Sequence, residues 1–326
     1  MSRRLIASTI ALMALLCPLW GAETPLSYTC NRNPVAPTLD GTVLGDPGWA
    51  SIPGATGYHT LGDGYTTAKQ TTAYVTWDDA ALYIGIVAEE PDIAQVKNTL
   101  TDGSEVWTED GAEVFVQPAD RQPYQFGITS AAMRGSGAGN PGLEGWSAKA
   151  SRQAAGYSLE IRIGFSVLGA TPKAGDVWHI SFGRNIVTTD SGGDRYTCWA
   201  PLVSRFLEPE NFPTLRFEAK ALTPAECQAA ESALNGAYRT SLTAQLAALA
   251  KAADTYLPVL ARASEQPAFK AQAVPLVAGW KQAVALQRDA GTAPLPQVRQ
   301  ALQSAERLRQ QSYELKYTML MEELFR

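Results

Sequence analysis

One short segment of the chain combines an aromatic ring with several carboxylates. Trp107 is followed closely by Glu109, Asp110 and Glu113. Successive side chains of a strand point to opposite faces, so Glu113 and Phe115 share one face of the strand predicted there. An aromatic ring offers a platform to an apolar ligand face, and a carboxylate accepts hydrogen bonds from hydroxyl groups. The segment therefore favours binding of a hydroxyl-bearing ligand.

The residue types that enzymes use most are scarce and without pattern. The chain has two histidines: His59 in a loop-like stretch and His179 in a strand pattern. The sequence contains no zinc-type helix motif, nucleophile elbow or paired-cysteine metal site. Carboxylate pairs for glycoside hydrolysis meet only in three dimensions, and nothing singles out two of the 32 acidic residues. The sequence therefore gives no indication that the protein has catalytic activity of its own.

The segment around Trp107 lies in a region of short strands that extends from residue 23 to residue 220. Alternating runs such as Thr72–Trp77, Ala81–Ala88 and Tyr157–Ile163 are separated by turn-forming stretches such as Asp78-Asp79 and Lys173–Asp176. Such spacing is typical of an antiparallel sandwich or barrel. Strands do not alternate with long helices, which disfavours a parallel α/β sheet. We predict a mainly β fold, an antiparallel β-sandwich of jelly-roll or immunoglobulin-like type.

The pattern becomes helical in residues 221–326. Thr223-Pro224-Ala225-Glu226 offers an N-cap, a proline at the first helical position and a capping-box glutamate. Apolar residues then recur at spacings of four and three between Leu242 and Leu260, which is a coiled-coil-like seam. We predict two or three antiparallel helices, a hairpin or small bundle, with Pro258 and Pro267 ending the first long helix.

The first 22 residues have the layout of a secretory signal. Arg3 and Arg4 precede an apolar run from Leu5 to Leu19, and the small residues Gly21 and Ala22 follow. The run is too short for a bilayer span. We therefore expect a protein that is secreted or held in the periplasm or cell envelope, with no membrane span in the mature chain.

Charge and cysteine content narrow the range of partners. Residues 23–220 carry 14 Lys and Arg against 23 Asp and Glu, a net charge of −9, whereas residues 221–326 carry 11 against 9, a net charge of +2. An acidic sandwich argues against nucleic acid and anionic membranes as partners. Cys30 and Cys198, each preceded by Tyr-Thr, are the better disulfide pair, and two separate buried thiols are the alternative.

The strand region also contains five motifs in a characteristic order. They are Pro37–Gly41 followed by Trp49, Val75–Asp79 followed by Leu82–Ile84, Trp107–Phe115, Gly156–Ile161, and Glu208-Pro209 followed by Phe212 and Leu215–Phe217. Over nearly all of residues 33–217 this order resembles the family 9 carbohydrate-binding modules. The resemblance implies a DOMON-like β-sandwich that binds carbohydrate, with a C-terminal helical extension added here.

The resemblance also implies a set of ligand-binding residues. In that family two aromatic rings clamp a terminal sugar, and these positions fall on Trp107 and near Phe206. Glu113 matches a glutamate that binds sugar hydroxyls. Two positions depart from the family, because Gly127 stands where it has a hydroxyl-binding arginine and Gly183 stands on or beside a glutamine position.

The residues beside Gly183 suggest replacements for the missing groups. Arg184 could restore the lost donor from another strand, and Asn185 is adjacent to it. Asp110 is expected either to fix a loop or to contact the ligand.

The resemblance further suggests a metal. Members of the family use calcium in their loops, which makes Asp78, Asp79, Asp102 and Asp110 candidate oxygen ligands, although their spacing is not that of an EF-hand. Structural calcium is thus an expectation without an assigned site.

These features lead to one main hypothesis of function and two alternatives. The main hypothesis is an exported, non-catalytic carbohydrate-binding module that binds a polysaccharide or oligosaccharide and assists its recognition or breakdown. The first alternative is a structural or envelope protein that kept the sandwich without the ligand. The second is a haem-binding, DOMON-like domain using Met133 and a histidine. The helical region either docks a protein partner or packs on the sandwich alone.

Overall fold

A computed structural model describes residues 26–64, 66–189 and 195–325. The predicted signal, residues 1–22, lies outside these residues. Twelve strands are found in the described part of the chain: β1 (Ser27–Asn31), β2 (His59–Thr60), β3 (Thr71–Trp77), β4 (Ala81–Glu89), β5 (Gly111–Gln117), β6 (Tyr124–Thr129), β7 (Arg134–Ser136), β8 (Trp146–Gln153), β9 (Gly156–Gly164), β10 (Val177–Asn185), β11 (Tyr196–Cys198) and β12 (Thr214–Glu218).

The strands form two sheets, as predicted for a sandwich. The larger sheet has the order β1-β12-β10-β5-β6-β7, with β11 pairing both β10 and β2. The smaller sheet has the order β3-β4-β9-β8. The β1–β12 pair is parallel and the other described strand pairs are antiparallel.

The main hydrophobic core lies between the sheets and follows from the alternation of each strand. Trp178, Ile180 and Phe182 of β10 point inward from the larger sheet, and Ile84 and Ile161 belong to the same buried cluster in the smaller sheet. Alternate residues of β10 therefore point to the outer face, where a separate small cluster forms around Phe115.

Two of the sequence motifs meet at the buried carboxylate of Glu160. Its Oε1 accepts a hydrogen bond from Trp49 Nε1 at 2.8 Å, and its Oε2 accepts from the backbone N–H groups of Asp40 and Gly41 at 2.8 and 2.7 Å. The first motif and the Gly156–Ile161 motif are thus joined by structural hydrogen bonds, and Trp49 is a core residue.

The helices lie mainly after the last strand. A four-residue helix, α1 (Phe165–Leu168), lies within the sandwich, and the C-terminal region contains α2 (Pro224–Leu234), α3 (Gly236–Ala250), α4 (Ala252–Glu265), α5 (Lys270–Asp289) and α6 (Leu295–Leu324). The capping box predicted at Thr223 and Glu226 is present. The predicted seam is buried at Leu242, Leu246 and Leu260. None of the helices in the described ranges has the length and apolar character needed to cross a bilayer.

The helices differ from the prediction in number and in the role of one proline. Among the described residues, five helices instead of two or three follow the sandwich, and Pro258 lies inside α4 instead of ending a helix. A proline costs a helix one hydrogen bond and crowds the preceding turn. Here Ala253 and Leu260 are buried on either side of Pro258, so packing holds the helix through it.

The helical bundle is joined to the sandwich by side chains of α2, of the α2–α3 junction and of the start of α3. Asn235 Nδ2 donates to Gly54 O at 2.8 Å, and Asn235 Oδ1 accepts from Thr56 N at 2.9 Å. Glu231 accepts from Gly54 N, and Tyr238 packs its ring over Gly57.

The three cysteines in the described ranges are separate, which was the alternative to a disulfide. Cys30, Cys198 and Cys227 are free and buried. Cys30 lies in the core between the sheets, whereas Cys198 belongs to the cluster on the outer face of the larger sheet. A Cys30–Cys198 bridge is therefore wrong for this structure, since the two thiols belong to different clusters.

Candidate functional site

Glu113 lies at the centre of a row of residues that crosses the outer face of the larger sheet. It pairs with Gly183 of β10 on one side and with Gly127 of β6 on the other, and Gly127 in turn pairs with Gly135 of β7. Glycines on both sides remove the side chains that would cover the carboxylate within the sheet. Both glycine departures noted in the sequence thus lie next to Glu113.

The space above Gly127 is filled by the turn that carries Trp107. Residues Val106–Thr108 form a 3-10 turn. A Cβ at Gly127 would lie 2.5 Å from Val106 Cγ2 and 3.6 Å from Trp107 Cε3. Val106 is buried against the sheet, which leaves the half-buried ring of Trp107 beside Glu113. A larger residue at position 127 would push this turn away.

The space above Gly183 is filled in the same way by Phe206. A Cβ at Gly183 would lie 2.7 Å from Cδ2 and Cε2 of the Phe206 ring. Tyr196 packs edge-on against that ring, with the ring centroids 6.0 Å apart and the planes at 85°. Phe206 can lie flat on the strand only because position 183 is a glycine.

Glu208 folds the loop that carries Phe206. Its carboxylate accepts hydrogen bonds from the backbone N–H groups of Val203, Ser204 and Arg205 and from the side chains of Ser204 and Asn211. Burial raises the pKa of Glu208, but the hydrogen bonds outweigh it and lower the pKa to about 2. The charged form of Glu208 is thus what holds the loop.

An open groove of about 400 Å³ lies on this outer face of the larger sheet. Trp107 and Phe206 lie among its lining residues, with Glu113 and Gln125 between them and Tyr196 and Arg205 at the rim. The sequence-predicted residues Trp107, Glu113 and Phe206 are therefore brought together. The groove offers apolar ring faces, carboxylate and amide acceptors, and a guanidinium.

The carboxylate of Glu113 is held by two amides. Asn185 Nδ2 donates to its Oε1 at 2.9 Å, and Gln125 Nε2 donates to its Oε2 at 2.6 Å. Burial raises the pKa of Glu113, and the two amide hydrogen bonds oppose this shift without cancelling it. Asn185 thus acts on Glu113, and its own Oδ1 is buried with no partner among the described residues.

Arg184 is not in the groove, which corrects the expectation that it replaces the missing arginine. It lies one residue along β10 from Gly183 and points to the inner face, where it is 1% exposed. Its guanidinium donates to the carbonyls of Lys69 and Glu89 and pairs with Glu90 at 3.4 Å. Neighbouring residues of a strand point to opposite faces of the sheet, so the side chain next to Gly183 cannot reach Glu113 on the outer face.

Asp110 is also outside the groove. It is buried at the start of β5, where it accepts hydrogen bonds from the backbone N–H groups of Val187 and Thr188 and from the Thr188 hydroxyl. Of the two roles expected for Asp110, the structure shows the fixing of a loop.

The other three aspartates considered for calcium are also engaged separately. Asp78 accepts from Ala80 N, Ala81 N and the Tyr83 hydroxyl. Asp79 pairs with Arg32, and Asp102 pairs with Arg134. Among the described residues, no three His, Cys, Asp or Glu side chains are grouped for metal binding. The three aspartates therefore do not fit a shared calcium site.

One histidine–cysteine pair lies near the groove and was not noticed in the sequence. Cys198 Sγ and His59 Nε2 are 3.8 Å apart. Burial raises the pKa of Cys198 to about 12 and lowers the pKa of His59. A nucleophilic cysteine needs the opposite shift, towards the thiolate. The pair is thus a neutral structural contact.

Sequence reasoning missed several lining residues, of which Gln125, Tyr196 and Arg205 matter most. Gln125 pairs with Phe115 in the β5–β6 hairpin, so the alternation that placed Glu113 outward also places Gln125 outward. Strand alternation alone was therefore sufficient to place Gln125 on the same face as Glu113. Arg205 and Tyr196 come from a loop and a short strand whose positions depend on the tertiary fold.

A two-layer β-sandwich with an aromatic-lined groove on the outer face of one sheet has the form of a ligand-binding module. The model of the family described as "Carbohydrate family 9 binding domain-like" matches residues 39–212, just over half of the chain. The chain belongs to this family. The family resemblance and the predicted β-sandwich fold are thereby confirmed.

Solved structures with similarity to the chain include a family 9 carbohydrate-binding module from Caldicellulosiruptor kristjanssonii, in complexes with cellotriose and with glucose. Each is 19% identical to this chain with a TM-score of 0.47, and the match covers 60% of this chain and 95% or 98% of the other. Among curated protein sequences, none matches the chain significantly.

Proposed function

We propose that this chain is an exported carbohydrate-binding protein that holds one sugar ring between Trp107 and Phe206. A sugar ring has an apolar C–H face and a rim of hydroxyls. The aromatic rings would take the faces, and Glu113 would accept hydrogen bonds from the hydroxyls. Family membership and the shape of the groove support this assignment.

The observation that carries the proposal is the row Gly183, Glu113 and Gly127. Two glycines let two aromatic rings lie close to the sheet on either side of one buried carboxylate. A carboxylate held by two amides in such a place costs stability, because burial disfavours its charge. A binding role for Glu113 accounts for that cost.

Arg205 is the residue best placed to supply the donor that Gly127 lacks. Its side chain is exposed at the rim of the groove, on the loop that Glu208 holds. A guanidinium presents several donors in a fixed geometry, which suits adjacent sugar hydroxyls. Because this donor comes from a different element, the preferred sugar need not be the one that an arginine at position 127 would select.

The test is calorimetric titration of the chain from residue 23 with plant and microbial oligosaccharides. We expect saturable binding that weakens at least about fivefold in Trp107→Ala, since a ring contact contributes about 1 kcal/mol. Trp107→Phe keeps a ring and should retain most of the affinity. A folded protein that binds no member of the panel would contradict the sugar proposal and favour the structural or envelope alternative.

Export, assistance in polysaccharide breakdown and structural calcium belong to the same proposal but need separate tests. Fractionation of cells that express the full chain reports whether residues 1–22 direct export. Thermal unfolding with calcium and with a chelator reports whether calcium stabilises the fold. Because the four candidate aspartates are held by separate partners, a calcium effect would have to come from other oxygen ligands.

A further inference from the structure

The last turns of α6 carry a row of exposed apolar side chains. The tail stripe consists of Tyr313, Tyr317, Leu320, Met321, Leu324 and Phe325, which are about half exposed or more, rising to 78% at Phe325. The rings of Tyr313 and Tyr317 already contact each other, with centroids 4.4 Å apart. Exposed apolar residues that occur singly need no explanation, but a contiguous row indicates an interaction surface.

The tail stripe lies on the side of α6 that the bundle does not use. Ser312, Leu315 and Met319 are buried against the rest of the bundle. At 100° per residue, a helix of 3.6 residues per turn places these three roughly opposite the middle of the tail stripe. This part of α6 thus has two apolar faces, and the described chain covers one of them.

We propose that the tail stripe pairs antiparallel with the tail stripe of a second copy of this chain. The charges beside the stripe support this choice of occupant. Lys316 and Glu323 lie on the same flank of the stripe, and neither forms an ion pair within the described residues. In an antiparallel helix pair equivalent flanks face each other, so Lys316 of each copy meets Glu323 of the other copy.

The register set by these charges also brings the apolar residues together. Pairing Lys316 with Glu323 places the two-fold axis between positions 319 and 320. Tyr313 then packs on Leu324 and Phe325 of the second copy, and Tyr317 packs on Leu320 and Met321 of the second copy. A parallel arrangement would instead set Glu323 level with Glu323 of the second copy. One register therefore satisfies both charge and apolar contact, as an isologous interface requires.

The size of the tail stripe suggests a reversible dimer. A half-exposed large side chain offers roughly 100 Å², so six of them offer on the order of 600 Å² per copy, below the roughly 800 Å² of a standard interface. We therefore expect dissociation in the micromolar range.

The experiment is sedimentation velocity of the chain from residue 23 over the micromolar range. Wild type should shift from monomer to dimer, and Leu320→Glu should stay monomeric with an unchanged melting temperature. Leu44→Glu makes the same change at an exposed position of the sandwich and should leave the dimer intact.

Charge reversal tests the antiparallel register. Lys316→Glu and Glu323→Lys should each weaken the dimer by about threefold or more, and the combined variant should recover it. A wild-type chain that stays monomeric, a dimer that survives Leu320→Glu, or a combined variant that stays weak would each overturn the proposal. Flotation of a monomeric chain with anionic vesicles would overturn it too, by assigning the tail stripe to a membrane surface.

Discussion

Glu113 is hydrogen-bonded by Asn185 and Gln125 and lies between two aromatic rings. The two amides fix its orientation, and burial of the carboxylate raises its pKa. The charged form of Glu113 is thus a strong hydrogen-bond acceptor and also a source of instability, a combination that fits the proposed binding role.

The first prediction concerns Glu113→Gln. Loss of the charged acceptor should weaken sugar binding by about tenfold or more, since a hydrogen bond to a charged group contributes about 1.5–3 kcal/mol. Asn185 can accommodate the new amide by rotating, because its Oδ1 has no partner among the described residues. Isothermal titration at neutral pH measures the loss, and unchanged affinity would exclude Glu113 from the ligand contact.

The same variant changes how stability depends on pH. The pKa of Glu113 is raised in the folded protein, so the unfolded chain loses this proton first as the pH rises. Wild type should therefore lose stability as the pH rises from the ordinary glutamate pKa to the raised value, and Glu113→Gln should not. Urea unfolding between about pH 4 and about pH 7 compares the two slopes.

The second prediction concerns the glycine beneath Phe206. A Cβ in Gly183→Ala would lie 2.7 Å from the ring, so the ring or the strand must move. We expect a loss of about 1–3 kcal/mol of stability from overpacking and a loss of sugar affinity comparable to that of Phe206→Ala. Gly236→Ala is the control, because a Cβ there meets nothing within 4 Å. Equal affinity in Gly183→Ala and wild type would contradict the arrangement.

At the residue scale the sequence predicted part of the lining of the candidate site. Trp107, Glu113 and Phe206 are brought together, since strand alternation and motif order locate them. Arg184 was placed on the wrong face because the glutamine position was matched only to within one residue, and a shift of one residue along a strand reverses the side chain. Arg205 was missed because loop positions carry no periodic signal.

At the element scale, the loop from Val203 to Phe206 is held by one carboxylate. Glu208 accepts hydrogen bonds from three consecutive backbone N–H groups. The loop has few other anchors among the described contacts apart from the packing of Phe206 and its neighbours. The position of two groove residues, Arg205 and Phe206, thus depends on the ionisation of Glu208, which does not line the groove.

The third prediction follows from this dependence. Glu208→Gln should cost about 1–2 kcal/mol at pH 7 and weaken sugar binding, because the uncharged amide cannot accept all these hydrogen bonds. The pKa of Glu208 is lowered to about 2, so its contribution is present above the ordinary glutamate pKa and is lost as the pH falls towards 2. Acid unfolding monitored by circular dichroism should show a shallower slope in the variant.

The nearby Glu210→Gln provides the control. Glu210 is exposed on the same short turn, and its substitution should leave both the acid slope and the sugar affinity unchanged. If the two variants behave alike, Glu208 does not hold the loop.

The strands were predicted more accurately than the helices. The strand runs at β3, β4, β5 and β9 are found where alternation and turns placed them, since these signals are local. The helices were undercounted because the first predicted helix runs over the breaks at Asn235 and Lys251, which separate α2, α3 and α4. Pro258 was also wrongly taken as a stop, since residues on both sides of it are buried and α4 continues through it.

At the scale of the whole molecule, buried polar groups of the helical bundle and of the sandwich are each other's hydrogen-bond partners. Asn235 is 3% exposed and makes two hydrogen bonds to the backbone of residues Gly54 and Thr56. Tyr238 packs over Gly57, and Arg299 pairs with Glu89. A dimer formed through α6 would therefore carry two sandwiches, each attached to its bundle by such contacts. Two linked grooves would bind a polymeric ligand with increased avidity.

The fourth prediction tests this coupling. Asn235→Ala leaves the backbone N–H of Thr56 and the carbonyl of Gly54 without their partner, which should cost about 2–4 kcal/mol if water cannot replace both hydrogen bonds. The lost stability weakens the contact between the bundle and the sandwich. Calorimetry of the variant should therefore show two separate unfolding transitions where wild type shows one. Gln228→Ala, on the exposed face of α2, is the matched control and should unfold as wild type does. A single transition at the wild-type temperature in Asn235→Ala would mean that the other contacts suffice to join the bundle to the sandwich.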